Sequence, residues 1–156
     1  EKKYEEKWLN MMRDKLGLFG VEDKDKFLIL DLLTWMHQKK VDYTNTFCHL
    51  MNFDIKNKEN YNDNDFQIWK KRWQERLLKN NNKPEKYMKL MRSVNPLVIP
   101  RNHMVEEVLI EANNGKTDPL NKLLAVLNSP YSEQKNISRY QTYSDSNEKY
   151  QTFCGT

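Results

Sequence analysis

Prolines and residues that end helices divide the stretch from position 95 to 131, NPLVIPRNHMVEEVLIEANNGKTDPLNKLLAVLNSPY, into two helices. Pro96 and Pro100 lack a backbone N–H and favour extended geometry before them, so the first helix begins near Arg101 or Asn102. The NNG at 113–115 tolerates the left-handed conformation that ends helices, and the TDP at 117–119 is typical of a helix start. This punctuation predicts an antiparallel helix pair.

Apolar residues in both helices of the pair recur at the spacing of one helix face. The first helix has Val105, Val108, Leu109 and Ala112, and the second has Leu120, Leu123, Leu124 and Leu127. We expect the two stripes to be buried against each other and against a third element. Their role is therefore structural, and function has to be sought in other residues.

The rest of the chain up to residue 130 shows further helical stripes, which predict an all-α fold. A first helix ends at Gly17 and Gly20, and a second opens with Glu22, Asp23 and Asp25 at the positive end of the helix dipole. Asp42 is placed to cap a third helix. The side chains that we expect to face inward in these and the following helices are Tyr4, Trp8, Met11, Met12, Leu16, Phe27, Leu28, Leu32, Leu33, Trp35, Met36, Tyr43, Phe47, Leu50, Met51, Phe66, Trp69, Trp73, Leu77, Tyr87, Leu90, Met91 and Val94.

These patterns predict an irregular bundle of about seven helices. The second helix has apolar residues on more than one face, so we expect it to be the most buried. Residues 1–130 form the predicted helical domain, and residues 131–156, which have no helical stripe, form a predicted irregular tail. The Asn-rich segment 52–65 predicts a flexible loop; it lacks the glycine and closing glutamate of an EF-hand calcium loop.

The histidines and cysteines do not form a recognisable metal or catalytic motif. Cys48 and His49 are adjacent on a helix and point about 100° apart, so they are poorly placed to chelate one ion. His37 sits in a terminal helical turn, where a histidine commonly interacts with the helix end. The sequence therefore predicts no catalytic, cofactor-binding or metal-binding residue.

A strongly basic segment gives the chain an alternative function. Residues 70–92 contain nine Lys or Arg residues and two Glu, within a chain of formal net charge +4. Clustered cations favour a phosphate backbone, and Trp69 and Trp73 are candidates for base stacking. However, both tryptophans share the stripe of Phe66 and Leu77, which favours a place in the core. A nucleic-acid-binding module is therefore the weaker alternative.

Composition limits the cellular setting. The purely apolar runs, such as residues 27–30, are no longer than five residues, so we expect no membrane span. Two cysteines are too few for a secreted disulfide framework, which favours a reducing cytoplasm. The charged start EKKYEEKW lacks an initiator Met and a signal peptide, so we expect a fragment of a longer chain.

Several motifs together resemble the C-terminal part of the selenoprotein O family. The most specific are IPRNHMVEE and the terminal FCGT, and LLAVLNSPY, WLNMMRDKLGL, DYTNTF and WKKRWQERL occur in the same order as in that family. The similarity extends over essentially the whole sequence. One departure is Cys48-His49 after DYTNTF, where the family pattern leads us to expect basic residues.

The resemblance implies a parent protein with a kinase-like fold that transfers AMP from ATP to Ser, Thr or Tyr hydroxyls of proteins, with Mg or Mn bridging the phosphates. Its catalytic, ATP-binding and metal-binding residues belong to the N-terminal part, which this sequence lacks. The implied partners of this chain are that kinase-like part, which it braces, and the parent's protein substrates, which it would dock.

Two features remain as candidate sites. Cys154 matches a C-terminal cysteine or selenocysteine position of the family, which implies a regulatory disulfide or, alternatively, a cysteine without a role. Arg101, Asn102 and His103 lie at a helix start, where N–H groups can receive an anion; the favoured interpretation is a structural cap and an inter-domain contact.

Overall fold

The computed structural model describes residues 2–53, 55, 58–79 and 83–142. Within these ranges the chain is all-α, as the sequence predicts, with eight α-helices, one 3-10 helix and no strand. The α-helices are α1 (Lys2–Lys15), α2 (Asp25–Lys39), α3 (Tyr43–Leu50), α4 (Asn64–Leu78), α5 (Pro84–Val94), α6 (Asn102–Asn113), α7 (Asp118–Leu127) and α8 (Ile137–Tyr140); the 3-10 helix is Lys58–Asn62.

Most predicted helix boundaries have the expected local chemistry. The Asp42 carboxylate accepts a hydrogen bond from the Asn45 backbone N–H at 2.8 Å, which confirms the predicted cap of α3. Gly17 follows α1 with a φ of +70°. By contrast, the Thr117 side chain makes no cap hydrogen bond to α7, because its backbone is helical rather than extended and does not aim the hydroxyl at the first N–H groups.

The main core lies between α1, α2, α3, α4 and α5. The predicted stripe of α4 is confirmed, since Phe66, Trp69, Trp73 and Leu77 are each at most 4% exposed. The rings of Trp69 and Trp73 stack with centroids 5.9 Å apart. At ~1.5 to 3 kcal/mol for each fully buried large side chain, this stripe is a major source of stability.

Several predicted core residues are in fact exposed. Phe27 is 64% exposed, because α2 turns Leu28, Ile29 and Leu32 inward and leaves the opposite side to solvent. Tyr4 and Met11 of α1 are also exposed.

The prediction that α2 is the most buried helix was also wrong. Six of the eight residues of the shorter α3 are buried. An apolar residue within two positions of a buried stripe can still point about 100° or more away from it.

The described residues of the polar connection 52–65 contain buried and hydrogen-bonded side chains, which the loop prediction did not include. Ile55 and Tyr61 are 5% and 3% exposed, and Tyr61 lies in the 3-10 helix. Its ring stacks on His49 at 4.0 Å between centroids. Asp63 then caps α4 by accepting hydrogen bonds from the backbone of Asp65 and Phe66. Two isolated apolar side chains, Ile55 and Tyr61, are therefore buried within a stretch whose composition indicates a loop.

The helices α6 and α7 pack on each other and form the predicted antiparallel pair. Their inner side chains are buried: Met104, Val108, Leu123 and Val126. The prediction was wrong for Leu109 and Leu124, which are 48% and 50% exposed. Only part of each apolar stripe fits between two helices, so the rest remains on the outer side.

Past Tyr131, the described residues are not wholly irregular. They include the single-turn helix α8 and a buried Gln141. In the part of the chain that the structure describes, no helix is both long and apolar enough to cross a membrane. The domain boundary at residue 130 and the cytoplasmic location stay predictions.

Candidate functional site

Arg101, the first of the three candidate residues at the start of α6, points into the protein. Its Nη1 and Nη2 donate to the two carboxylate oxygens of Asp42 at 2.7 and 2.9 Å. Nη2 also lies 3.3 Å from the Asn45 side-chain oxygen. Asp42 caps α3, so this forked pair joins the start of α6 to the start of α3. Such two-point pairs are geometrically specific and strong.

Gln141 adds the C-terminal segment to the same cluster. The Asn45 side-chain amide donates to the Gln141 carbonyl at 3.0 Å, and the Gln141 side chain donates to the Leu97 carbonyl at 3.0 Å. Asn45 and Gln141 are 2% and 4% exposed. We call Asp42, Asn45, Arg101 and Gln141 the clasp. It connects three stretches that are distant in sequence.

The candidate triplet is divided between interior and surface. Arg101 is buried with its charge compensated by Asp42, whereas Asn102 is exposed and His103 is half-buried. The Arg101 Nε has no hydrogen-bond partner among the described atoms. The three side chains therefore do not form a joint anion site at the helix start, and the geometry of Arg101 is that of an internal connector.

Cys48 and His49 are held by different neighbours. The Cys48 thiol is buried, 3.8 Å from the Pro96 carbonyl oxygen, and burial raises its pKa to about 12. It is therefore protonated and a poor nucleophile at neutral pH. Burial, with smaller effects from Lys70 and Lys58, lowers the pKa of His49 to about 4. This histidine is a neutral stacking partner of Tyr61.

A site that the sequence did not reveal is centred on Asp25. Its carboxylate is 1% exposed and accepts hydrogen bonds from Arg13 Nε at 2.8 Å and Arg76 Nε at 2.7 Å. Burial would raise the pKa of Asp25, but hydrogen bonds from Arg76 and Arg13 outweigh that effect and hold the pKa below its ordinary value. From the sequence, the position of Asp25 in the first turn of α2 indicated only an interaction with the helix dipole. Its two arginine partners lie on α1 and α4, so no local pattern connects them to Asp25.

A shallow cavity of about 260 Å³ opens beside Asp25. Side chains of both charge signs line it, namely Lys24, Asp25, Arg72, Glu75, Arg76 and Lys79, together with Leu28. Arg72 and Lys79 also form ion pairs with Asp31 and Glu22. The lining has four basic and two acidic side chains, and Asp31 and Glu22 outside it compensate two of the basic ones. The cavity therefore does not select one class of ionic ligand.

The two tryptophans beside the basic segment 70–92 are not available to stack on bases. Trp69 and Trp73 donate their indole N–H groups to the carbonyls of Leu28 and Leu16 at 2.8 and 2.9 Å, deep in the core. No face of either ring is available to a base. Arg76 is buried on Asp25 rather than on a solvated face. These contacts remove the base-stacking argument for the nucleic-acid alternative.

The remaining candidate, Cys154, lies outside the described residues. Among the described residues, no group of three or more His, Cys, Asp or Glu side chains could hold a metal ion. Asp25, the most buried carboxylate, is already occupied by two arginines. The described residues therefore do not fit the Mg or Mn that the resemblance implies for the parent.

Together, the fold and these sites define a class: a helical domain whose buried polar residues tie its own segments together. Comparison with known proteins gives the family. Residues 1–128 match the family model described as Protein adenylyltransferase SelO, and the chain belongs to that family of nucleotidyltransferases.

Individual relatives agree with this assignment over the whole chain. The chain is 53% identical to the protein nucleotidyltransferase YdiU of Pelagibacter ubique, covering 100% of this chain and 32% of the relative. Identity to the YdiU proteins of Alcanivorax borkumensis and Nitrosococcus oceani is 46% and 41%, over 99% and 98% of this chain and 32% and 31% of theirs. The chain thus spans about a third of the length of these relatives.

Proposed function

We propose that this chain is the C-terminal helical domain of a SelO-type protein nucleotidyltransferase and that it braces the catalytic part. The observation that carries the proposal is the use of Arg101. This residue lies in the segment that best identifies the family. Its guanidinium forms an internal ion pair with Asp42 and is not presented to a ligand. A side chain used in this way stabilises a scaffold and does no chemistry on a substrate.

For the parent, we propose transfer of AMP from ATP to Ser, Thr or Tyr hydroxyls of protein substrates, as the resemblance implies. ATP and a divalent metal would bind in a kinase-like N-terminal part, outside the third of the relatives' length that this chain matches. No described residue fits that metal, so no step of the transfer is assigned to this chain. Its contribution is to hold the catalytic part in place.

Bracing depends on a rigid body, and the contacts of this chain suit that role. Asp25 joins α1, α2 and α4 through two buried arginines, and the clasp joins α3, α6 and the segment after α7. Buried charged hydrogen bonds are costly to open one at a time, so the elements move together. A partner that binds one helix therefore keeps a fixed position relative to the other helices.

Docking of protein substrates is a second candidate function. It is favoured by Lys71, Lys83 and Lys89 of the basic segment, whose side chains are exposed on or beside α4 and α5. Exposed cations on neighbouring helices would attract an acidic protein surface and increase its association rate. This function is compatible with bracing, but it makes a different prediction about which activities a truncation removes.

The test compares the full-length protein with a version that ends before Glu1. Measured quantities are the melting temperature, ATP binding, and AMP transfer to several protein substrates and to the enzyme itself. Bracing predicts a lower melting temperature and loss of transfer to every substrate. Docking predicts normal stability and ATP binding, with loss for acidic substrates only. Unchanged stability and transfer in the truncated protein would refute both functions.

A further inference from the structure

The turn between α6 and α7 is closed by two backbone hydrogen bonds around a glycine. The Lys116 N–H donates to the Glu111 carbonyl at 2.9 Å. The Gly115 N–H donates to the Ala112 carbonyl at 3.0 Å, and Gly115 has a left-handed φ of +83°. Two bonds of this spacing with a left-handed glycine define a Schellman motif. Asn114 precedes the glycine and ends α6. The turn therefore depends on the normal spacing of backbone atoms through Asn114 and Gly115.

Asn114 and Gly115 form the one Asn-Gly pair of the sequence, and both residues are exposed. In such a pair the glycine nitrogen can attack the asparagine side-chain carbonyl carbon, because glycine has no side chain to obstruct the approach. Apart from its chain neighbours, no described atom lies within 4 Å of the position that a Cβ of Gly115 would occupy. The space beside the glycine is therefore open to the cyclic imide that this attack produces.

We propose that Asn114 is a site of spontaneous deamidation and that the modification opens the α6–α7 turn. The Gly115 nitrogen loses its proton to hydroxide and forms a bond to Asn114 Cγ. The bond from Cγ to the side-chain nitrogen breaks, and that nitrogen takes up a proton and leaves as ammonia. Water then opens the cyclic imide at either of its carbonyls, which gives aspartate or isoaspartate. Water is the only co-reactant, and the proposal does not depend on the bracing function.

The isoaspartate product changes the backbone itself. Its main chain passes through Cβ and Cγ, which adds a methylene group between the Cα of residue 114 and the Gly115 nitrogen. Both hydrogen bonds of the turn span this point, so the longer chain moves the Gly115 and Lys116 N–H groups away from their acceptors. Either product also adds a negative charge at the end of α6, where the helix dipole is negative and Glu111 lies in the same turn. Both effects weaken the end of α6.

The folded turn slows this reaction. Asn114 has a ψ of 11°, and the Gly115 N–H is engaged with the Ala112 carbonyl. The attack therefore requires rotation of the backbone at Asn114 and opening of that hydrogen bond. Exposed helix ends open locally at a small cost in free energy, so the reaction proceeds from the native protein. The rate of deamidation then reports how often the end of α6 opens, and denaturant should increase it.

The experiment follows deamidation in the full-length protein, with Asn128 as the internal control. Asn128 is exposed and ends α7 as Asn114 ends α6, but the residue after it is Ser129. The protein is incubated at neutral and at mildly alkaline pH and digested with trypsin, and the peptides 102–116 and 123–135 are analysed by mass spectrometry. Conversion at Asn114 should be faster than at Asn128 by on the order of tenfold, because only glycine leaves the approach unobstructed. Conversion at Asn114 should also rise with pH, because the attacking nitrogen must lose its proton.

A second measurement, hydrogen exchange at Gly115 and Lys116, tests the effect on the turn. The isoaspartyl protein, separated by chromatography, should lose the protection of these two amides. The Asn114→Asp variant has the added charge on a normal backbone and should keep most of that protection. Equal conversion rates at Asn114 and Asn128, or no conversion at Asn114, would overturn the assignment of the site. Equal protection in the isoaspartyl and unmodified proteins would show that the turn stays closed and would overturn the proposed opening.

Discussion

Replacing Asp25 by Asn should remove more stability than any other single charge neutralisation in the described part of the chain. The Asp25 carboxylate compensates Arg13 and Arg76, at 2.8 and 2.7 Å, and all three residues are at least nine-tenths buried. Asparagine preserves the shape but leaves two buried guanidinium groups without a counter-charge. Breaking such a pair costs about 3 to 5 kcal/mol, against a total stability of about 5 to 15 kcal/mol.

The chain offers a matched control for this change. Asp31 pairs with Arg72 at 2.7 Å, but their side chains are 50% and 47% exposed. Solvent screening reduces such a pair to about 0 to 1 kcal/mol, so Asp31→Asn should have little effect. The two substitutions delete the same charge at the same distance and differ in burial.

The assay is urea denaturation of the chain, followed by tryptophan fluorescence. With a urea dependence of about 2 kcal/mol per M, Asp25→Asn should lower the midpoint by about 1.5 to 2.5 M, and Asp31→Asn by less than about 0.5 M. Adding Arg13→Met to the Asp25→Asn variant should recover part of the loss, because one uncompensated charge is removed. Equal midpoints for the two single variants would refute the argument from burial.

The dependence on pH provides a second check on Asp25. Its folded pKa lies below the ordinary 3.8. Its contribution to stability is therefore complete above about pH 4 and is lost as the pH falls through the folded value. The Asp25→Asn variant should lack this acid-dependent part of the stability profile, whereas the Asp31→Asn variant should keep it.

Three further predictions concern local contacts. The pKa of His49 is lowered to about 4 from 6.5, so stability should fall as pH drops through that window, and His49→Phe, which keeps the stack on Tyr61, should flatten the profile in urea titrations. Gly17→Ala forces a side chain onto a φ of +70° and 3.0 Å from Met91 Cγ, and should cost about 1 to 3 kcal/mol, measured as a lower melting temperature. Gln141→Ala removes a buried donor to the Leu97 carbonyl and should accelerate hydrogen exchange in α8 without affecting α4.

Each of these three predictions has an outcome that contradicts it. An unchanged pH profile in His49→Phe would mean that the histidine is not the group responsible for the slope. A melting temperature for Gly17→Ala equal to that of the parent chain would mean that neither the left-handed backbone nor the Met91 contact is restrictive. Equal exchange rates in α8 with and without the Gln141 side chain would show that its bond to the Leu97 carbonyl does not hold the C-terminal segment.

Features that depend on spacing along one helix were predictable from the sequence. The stripe from Phe66 to Leu77 repeats at the helical period, and all four of its apolar side chains are buried as predicted. The Asp42 cap was predictable because its hydrogen bond closes within three residues. The all-α class follows from such local signals, each of which is complete within a few turns of chain.

Features that depend on which helices meet were not predictable. Arg76 occupies the same basic segment as Arg72, and nothing local distinguishes the buried residue from the exposed one. The difference arises because Asp25 of α2 lies opposite one of them. Likewise, the exposure of Phe27 is set by how α2 is rotated against α4. Tyr61 had no periodic neighbours to mark it, so only its ring contacts in the folded chain identify it as an anchor.

The clasp also has a consequence for the order of folding. Arg101 reaches Asp42 across 59 residues, and Gln141 reaches Asn45 across 96, whereas Asp42 closes its cap on Asn45 within three. Loop-closure entropy rises with the logarithm of separation, at about 0.6 kcal/mol for each doubling. During synthesis on the ribosome, Asn45 emerges long before Gln141. Until Gln141 emerges, the Asn45 side-chain amide lacks the carbonyl to which it donates in the folded chain. Attachment of the segment around Gln141 is therefore a late event, completed only after the rest of the bundle has been synthesised.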